Sequence, residues 1–333
     1  MPEPLLRVEH LTKEYRRGVR ANDDISFEVA AGQVVGLLGH NGAGKTTLLN
    51  QVVGLVRPSS GKITLDGQDA IAHPATARTL CSLQPQGRAP LDGVTPRQAI
   101  TMMARIRGAG RHQARERADE LLDALDIGHW ADRPGSALSG GVRRLTAFGM
   151  TAAEPGRLVM LDEPTNDVDP VRRRLLWEQV RALADRGCAV VLVTHNVIEA
   201  ERAVDTLVVL DKGRVVAQGT PAELRGDQAG RLRLELVAPD EPTGVDLARR
   251  FAGEMFCAAT PVRVGRRVSA PVTGAEAAAT WSQRHQDTGT IEEFTLSPPS
   301  LEDVYIRLVG GDDPSNTTTT EQEGGAGHAE LVA

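Results

Sequence analysis

The chain has 333 residues, more than one hydrophobic core ordinarily serves, so at least two domains are expected. Its 41% hydrophobic and 25% charged residues exclude a fibrous or wholly disordered chain. A net charge of −6 speaks against coating nucleic acid, and no nucleic-acid partner is expected.

From residue 3 to about 225, strand-like and helix-like segments alternate, the pattern of an α/β domain with a largely parallel sheet. The first buried-strand candidate is Val34–Leu38. It runs straight into Gly39-His40-Asn41-Gly42-Ala43-Gly44-Lys45-Thr46-Thr47, which matches G-x-x-x-x-G-K-[ST] and opens a helix at Lys45. Glycines there let backbone N–H groups turn inward around phosphates, and the helix N-terminus adds partial positive charge. Lys45 then pairs the β- and γ-phosphates, and Thr46 offers its hydroxyl to Mg²⁺. Only Lys13, Lys45, Lys62 and Lys212 are lysines, so an ammonium in this loop stands out from an Arg-rich background. Taken alone, the loop reports nucleotide binding and nothing finer.

Farther along, Gln113–Leu125 and Val171–Arg186 read as helices. Leu158–Asp162, Val190–Thr194 and Thr206–Leu210 read as short buried strands, rich in Val and Leu. The strand at Leu158 ends in Asp162-Glu163. Acids at the carboxyl end of a buried parallel strand are where a metal site is built. Asp162 would hold the Mg²⁺ shell, and Glu163 could polarise the attacking water. An acidic loop after a strand is common by itself; the phosphate loop in the same chain gives it meaning.

Leu138-Ser139-Gly140-Gly141-Val142-Arg143-Arg144 offers a serine and two glycines before a helix, a second anion-binding N-terminus. This cluster resembles the signature motif of ABC ATPases. The resemblance covers residues 3 to about 225 and implies a P-loop NTPase cassette, a RecA-like core plus a helical subdomain at about 88–150. It implies two copies packed head to tail around two ATP molecules, with Ser139, Gly140 and Gly141 of one on the phosphates held by the other. By the same resemblance Tyr15 stacks on adenine, Gln86 contacts metal and water, Asp169 faces the dimer seam and His195 contacts the γ-phosphate. Singly, Tyr15 reads as a surface aromatic, Gln86 as a loop amide and His195 as an unremarkable residue after a strand; order and spacing carry them. Gln84 rivals Gln86, but the family's glutamine follows a proline, here Pro85. Two positions depart from the family pattern. Val142 stands where Gln is frequent, and Asp167 where Gly is usual, an extra carboxylate expected to slow closure and turnover.

After Gly226 the composition shifts. Leu232, Leu234 and Leu236 alternate with Arg233 and Glu235, a half-buried strand. A helix (Val245–Phe251), two strands (Val262–Val264, Arg267–Ala270), a helix (Ala275–Arg284), a strand (Ile291–Leu296) and a closing helix (Leu301–Val309) follow. They suggest a small α+β domain over 226–310 of β-α-β-β-α-β order. Residues 311–333, with Thr317–Thr320 and many glycines and acids, read as a disordered acidic tail.

Cys81, Cys188 and Cys257 are far apart and suggest neither disulfides nor a metal cluster, which points to a reducing compartment. Met1–Lys13 lacks the apolar core of a signal peptide, and no segment nears the roughly 18 apolar residues of a membrane span. Pro299-Ser300-Leu301-Glu302-Asp303-Val304-Tyr305 and Val35-Gly36-Leu37-Leu38-Gly39 look like segments of ATP-binding subunits of ABC-2 exporters, the drug-resistance type. That resemblance implies a homodimer driving a separately encoded ABC-2 membrane permease, and a cytoplasmic place on the inner face of the membrane through that permease. It puts permease docking near Thr95 and Arg97–Ile106, where Met102, Met103 and Ile106 could equally be core. The alternative is a soluble ABC ATPase acting on ribosomes or in another non-transport complex. Translation-type members usually join two cassettes by a basic linker, and this chain has one cassette and no such linker.

Overall fold

The computed structural model describes residues 3–87, 89–196, 201, 203–226, 232–298, 300–301, 304–305 and 309. Its centre is a six-stranded sheet in the order β10 (Arg214–Gly219), β9 (Thr206–Asp211), β3 (Val34–Leu38), β8 (Ala189–Thr194), β7 (Leu158–Asp162), β6 (Cys81–Gln84). All neighbours run parallel except the edge strand β10, which pairs antiparallel with β9. Every residue of β3, β7 and β8 is buried, as parallel strands must be when layers cover both faces.

The period of two divides these strands between two cores. Val34, Leu38, Val159, Leu161, Val190 and Leu192 face one side, where they meet Leu176, Val180 and Leu183 of a helix at Pro170–Asp185. Val35, Leu37, Leu158, Met160, Val191 and Val193 face the other. There they meet Leu48 and Leu49 of the helix Lys45–Val52 and the inner residues of a second, antiparallel sheet. That sheet has the order β2 (Arg20–Val29), β1 (Leu6–Glu14), β4 (Ser60–Leu65), β5 (Gln68–Asp69).

With apolar runs filling both faces, polar residues can gather only where the strands end. Leu38, Gln84, Asp162 and Thr194 close β3, β6, β7 and β8 at one carboxyl edge. The phosphate loop, Gln86, Glu163 and His195 follow them directly there.

Helices Pro96–Ile106, Arg111–Ala124 and Gly140–Ala152 form the helical subdomain around Ile100, Ala118, Leu121, Leu145 and Phe148. Its first helix begins with a full capping box: Thr95 accepts from Gln98 N–H, and the Gln98 side chain accepts from Thr95 N–H. Gly149 permits the close approach of two of these helices, since a Cβ there would come within 2.7 Å of Ile100 Cδ1.

The third sheet has the order β12 (Val262–Val264), β13 (Arg267–Val272), β11 (Leu232–Val237), β14 (Glu293–Ser297), all antiparallel. Helices Glu241–Ala252 and Ala275–Asp287 supply Leu247, Phe251, Ala278 and Trp281 to its own core with Leu234, Leu236 and Val268. The chain order is β-α-β-β-α-β. The first helix starts earlier than apolar spacing alone suggests, because Asp240 caps it through Thr243 N–H and Pro242 occupies its first turn. Of the expected closing helix Leu301–Val309, only residues 301, 304, 305 and 309 are described. Leu301, Tyr305 and Val309 pack with the core of the six-stranded sheet rather than with the third sheet. The acidic tail at 311–333 lies outside the described residues.

Because Phe251 contacts Phe256 and Trp281 in a core separate from the other two, Phe251→Ala is expected to destabilise the third sheet by about 3–5 kcal/mol. Scanning calorimetry checks this: an early transition should appear while nucleotide affinity is unchanged.

Candidate functional site

At the carboxyl edge of the central sheet lies a cleft of about 430 Å³, lined by Asn41 to Thr47, Gln86, Asp162, Glu163 and Ala21. Gly42 and Gly44 adopt φ of +88° and +97°, conformations that only glycine takes without strain. At Gly44 there is also no room: a Cβ would collide with the Ala21 carbonyl and lie 2.6 Å from Asn22 Nδ2. Asn22 is fully buried. It donates to Gly44 O at 3.2 Å and accepts from Gln51 Nε2 at 2.6 Å, bracing the loop from β2.

Lys45 is buried, and its Nζ donates to the carbonyls of Gly39 (2.5 Å) and His40 (3.0 Å). Burial pulls its pKa down, while the nearby carboxylates of Glu163 and Asp162 push it back up. Thr46 Oγ1 donates to Asp162 Oδ2 at 3.2 Å. Burial raises the Asp162 pKa, the Thr46 hydrogen bond opposes that, and the neighbouring Glu163 adds to the rise. Burial thus works against the charged form of both groups, lowering one pKa and raising the other.

Glu163 has φ +52°, a left-handed conformation that costs a non-glycine residue on the order of 1 kcal/mol. The turn is held by Glu163 N–H donating to Val193 O at 2.9 Å. It brings Glu163 Oε1 to 2.8 Å from His195 Nδ1, while Oε2 is buried with no hydrogen-bond partner among the described residues. The carboxylate is thus oriented at one oxygen, and the other keeps its capacity to accept a hydrogen bond.

Gln86 lines this cleft and Gln84 does not; Gln84 is fully buried and donates to Arg144 O at 3.2 Å. Arg144, in turn, donates to the carbonyls of Pro85 (3.1 Å) and Gln86 (2.8 Å), tying the Gln86 segment to the signature helix. Among the described residues, no group of three His, Cys, Asp or Glu forms a metal cage. Thr46, Gln86 and Asp162 are instead the kind of sparse oxygen set on which Mg²⁺ completes its shell with phosphate oxygens and water.

The remaining candidates are not at this cleft. Ser139 is exposed and caps the helix Gly140–Ala152 by accepting from Val142 N–H at 3.4 Å. Gly140 lines a separate recess of about 30 Å³ with Arg143, Arg144 and Asp167, and Gly141 fits against the Asp167 carbonyl, where a Cβ would approach to 2.5 Å. Asp169 caps the helix Pro170–Asp185, accepting from the N–H groups of Val171 and Arg172 at 3.1 Å each, bonds that hold its carboxyl below the usual range. Tyr15 is 43% exposed, with Lys13 Nζ 5.0 Å from its ring centre, and it too does not line the cleft. One copy therefore carries the cleft and, apart from it, an exposed helix N-terminus capped by Ser139.

Asn22 and Arg144 were not legible as site residues, since their bonds to Gly44 and Gln86 join positions 22 and 58 apart in sequence. The Glu163–His195 contact joins residues 32 apart in sequence and had no local signal.

The sequence model described as ABC transporter matches residues 22–166. The daunorubicin/doxorubicin resistance ATP-binding protein of Streptomyces peucetius is 34% identical over 331 residues, 97% of this chain and 98% of that protein. The Nod factor export ATP-binding protein I of Ralstonia nicotianae is 35% identical over 308 residues, 92% of this chain and 94% of that protein. Among solved structures, an ATP-binding subunit of an ABC transporter superposes with a TM-score of 0.62 at 28% identity, covering 66% of this chain and 92% of that one. CbiO1 of Clostridium perfringens, part of an ABC transporter complex, superposes with a TM-score of 0.59 at 27% identity, over 68% and 92%.

Removing the brace should loosen the phosphate loop without touching a ligand contact. Asn22→Ala is expected to weaken nucleotide binding about tenfold, the equivalent of roughly 1.4 kcal/mol, with the thermal transition of the third sheet unmoved. Titration calorimetry of the variant checks it.

Proposed function

The chain belongs to the ABC transporter family, and we propose that it is the ATP-binding and ATP-hydrolysing subunit of an exporter of the ABC-2, drug-resistance type. The observation that carries this reading is the reach of the likeness. Similarity to the Streptomyces peucetius resistance protein runs through 97% of the chain and so includes the third sheet, whereas the solved ATP-binding subunit shares 66% of the chain. Residues 1–225 serve as the ATP cassette, with the helical subdomain at about 88–150, and 226–310 as an appended domain.

In this reading the phosphates of ATP replace the loop carbonyls on Lys45, while Gly42, Ala43, Gly44 and Thr47 wrap them and Asn41 and Gly39 shape the entry. Tyr15 covers the adenine. Thr46, Asp162 and Gln86 would hold Mg²⁺, which would supply neutralisation of phosphate charge. Glu163 Oε2 takes a proton from the attacking water as its oxygen bonds the γ-phosphorus and the bridge to the β-phosphate breaks, leaving ADP and phosphate. His195 keeps Glu163 oriented and reaches the γ-phosphate. The exposed N-terminus at Ser139, Gly140 and Gly141 receives the γ-phosphate of ATP held by a second copy, and Asp169 lies along the seam. Two ATP molecules bound this way pull two copies together, and hydrolysis lets them part.

A separately encoded ABC-2 permease forms the path in this reading; among the described residues no helix is long and apolar enough to cross a membrane. A groove of about 980 Å³ on the helical subdomain supports a place for it. Met102 and Ile106 line the groove at 50% and 71% exposure, which removes them from the core and leaves them for a partner. The subunit would then work on the cytoplasmic face of the membrane.

Glu163→Gln is expected to bind ATP normally, to lose turnover by 10²-fold or more, and to accumulate as an ATP-bound dimer. Sizing chromatography with and without ATP reads the dimer; a monomer at saturating ATP counts against the shared site. Gentle solubilisation of native membranes carrying the tagged variant tests the partner: a stoichiometric multi-span protein supports export, and ribosomes in its place contradict it.

A further inference from the structure

Asp167 is an odd residue for its position. Its φ is +65°, a left-handed backbone that Asp tolerates better than most residues but still at a cost. It lies four residues after Glu163 and two before Asp169, in the turn that joins the candidate base to the dimer-facing helix. The turn is pressed against the helix Gly140–Ala152. A Cβ at Gly140 would lie 3.3 Å from Asp167 Oδ2, so the carboxylate lies flush against the first residue of that helix. Among the described residues its carboxylate has no hydrogen bond or ion pair, and the side chain is exposed.

Among the described residues, the two cations that share its recess bond elsewhere. Arg143 donates to Gly135 O and pairs with Asp92, and Arg144 donates to the Pro85 and Gln86 carbonyls. Among the described residues neither guanidinium bonds to the Asp167 carboxylate, although both line the same recess, so its negative charge stands beside the partial positive N-terminus and offsets it. It reduces the attraction of that N-terminus for any anion brought to it.

We infer that Asp167 is an electrostatic brake on closure of the ATP sandwich: its carboxylate, held against Gly140, opposes the approach of the γ-phosphate carried by the second copy. This rests on the shared-site reading above and adds the property that sets how much ATP closure requires. In a single copy Asp167 does not line the phosphate cleft, so the brake acts on dimer formation and leaves first binding of ATP alone. Removing the charge while keeping the backbone calls for asparagine, which accepts left-handed φ as readily as Asp does.

The test compares Glu163→Gln with the double variant Glu163→Gln/Asp167→Asn, both full length, by ATP-dependent sizing or light scattering, with a fluorescent ATP analogue reporting binding to the monomer. At about 50 mM salt the double variant should dimerise at roughly tenfold less ATP. That gap should narrow at about 1 M salt, where screening is effective beyond about 3 Å. Monomer affinity for the analogue should be equal in the two, which also shows that the double variant is folded. Asp167→Gly in the same background should match or exceed the asparagine variant, since it removes backbone strain as well. An equal or higher ATP requirement after Asp167→Asn overturns the brake and makes Asp167 neutral or a partner-binding residue, while a dimer of Glu163→Gln still stands. If no variant dimerises at any ATP concentration, the shared site falls and the brake with it.

Discussion

A buried ammonium must find oxygen, and in this molecule that requirement organises the catalytic end of the sheet. Lys45 lies at the start of a helix whose first residues are braced by Asn22, and its charge is satisfied by two carbonyls of its own loop. Those two bonds are a holding arrangement that phosphate oxygens can replace, since the carbonyls belong to the loop that wraps the ligand. Asp162, buried at the end of β7 two strands over, complements it: burial works against its charge as it works against that of Lys45. A triphosphate with its cation would bring both signs at once.

The rest of the fold holds that edge in place. Burying both faces of β3, β7 and β8 sends polar residues to the strand ends and fixes the spacing between the phosphate loop, Asp162 and His195 by strand register rather than by loops. The helical subdomain is tied in through Arg144, whose guanidinium holds the backbone at Gln86. Arg172 extends the same kind of tie. It joins Asp169 to Asp126 and lies 4.9 Å from the centre of the Trp130 ring, linking the seam to the subdomain that carries the apolar groove.

Much of this was legible in residues alone, for reasons that differ from element to element. The strands Val34–Leu38 and Leu158–Asp162 stood out because two covered faces demand unbroken apolar runs. The strands of the antiparallel sheet did not: β1 and β2 mix buried and half-exposed residues, and their pairing shifts register three times. The phosphate loop announces itself because its glycines are required by backbone geometry. His195 and Gln86 carry no such local requirement and came only through resemblance. Asn22 escaped altogether, since what makes it matter is a hydrogen bond to Gly44, 22 residues away. Met102 and Ile106 were ambiguous between core and surface, and only packing decided for the surface.

The central claim is that each ATP is held by one copy and completed by the other. Mixing two inactive variants tests it most directly: Lys45→Ala, which lacks the phosphate cation, and Ser139→Arg, whose exposed helix N-terminus is blocked. In a mixed dimer, one interface pairs the intact Lys45 of the second variant with the intact Ser139 of the first. The account predicts that ATP hydrolysis, absent from either variant alone, returns on mixing. If turnover stays absent although mixed dimers form, the two halves do not serve one site and the account is contradicted.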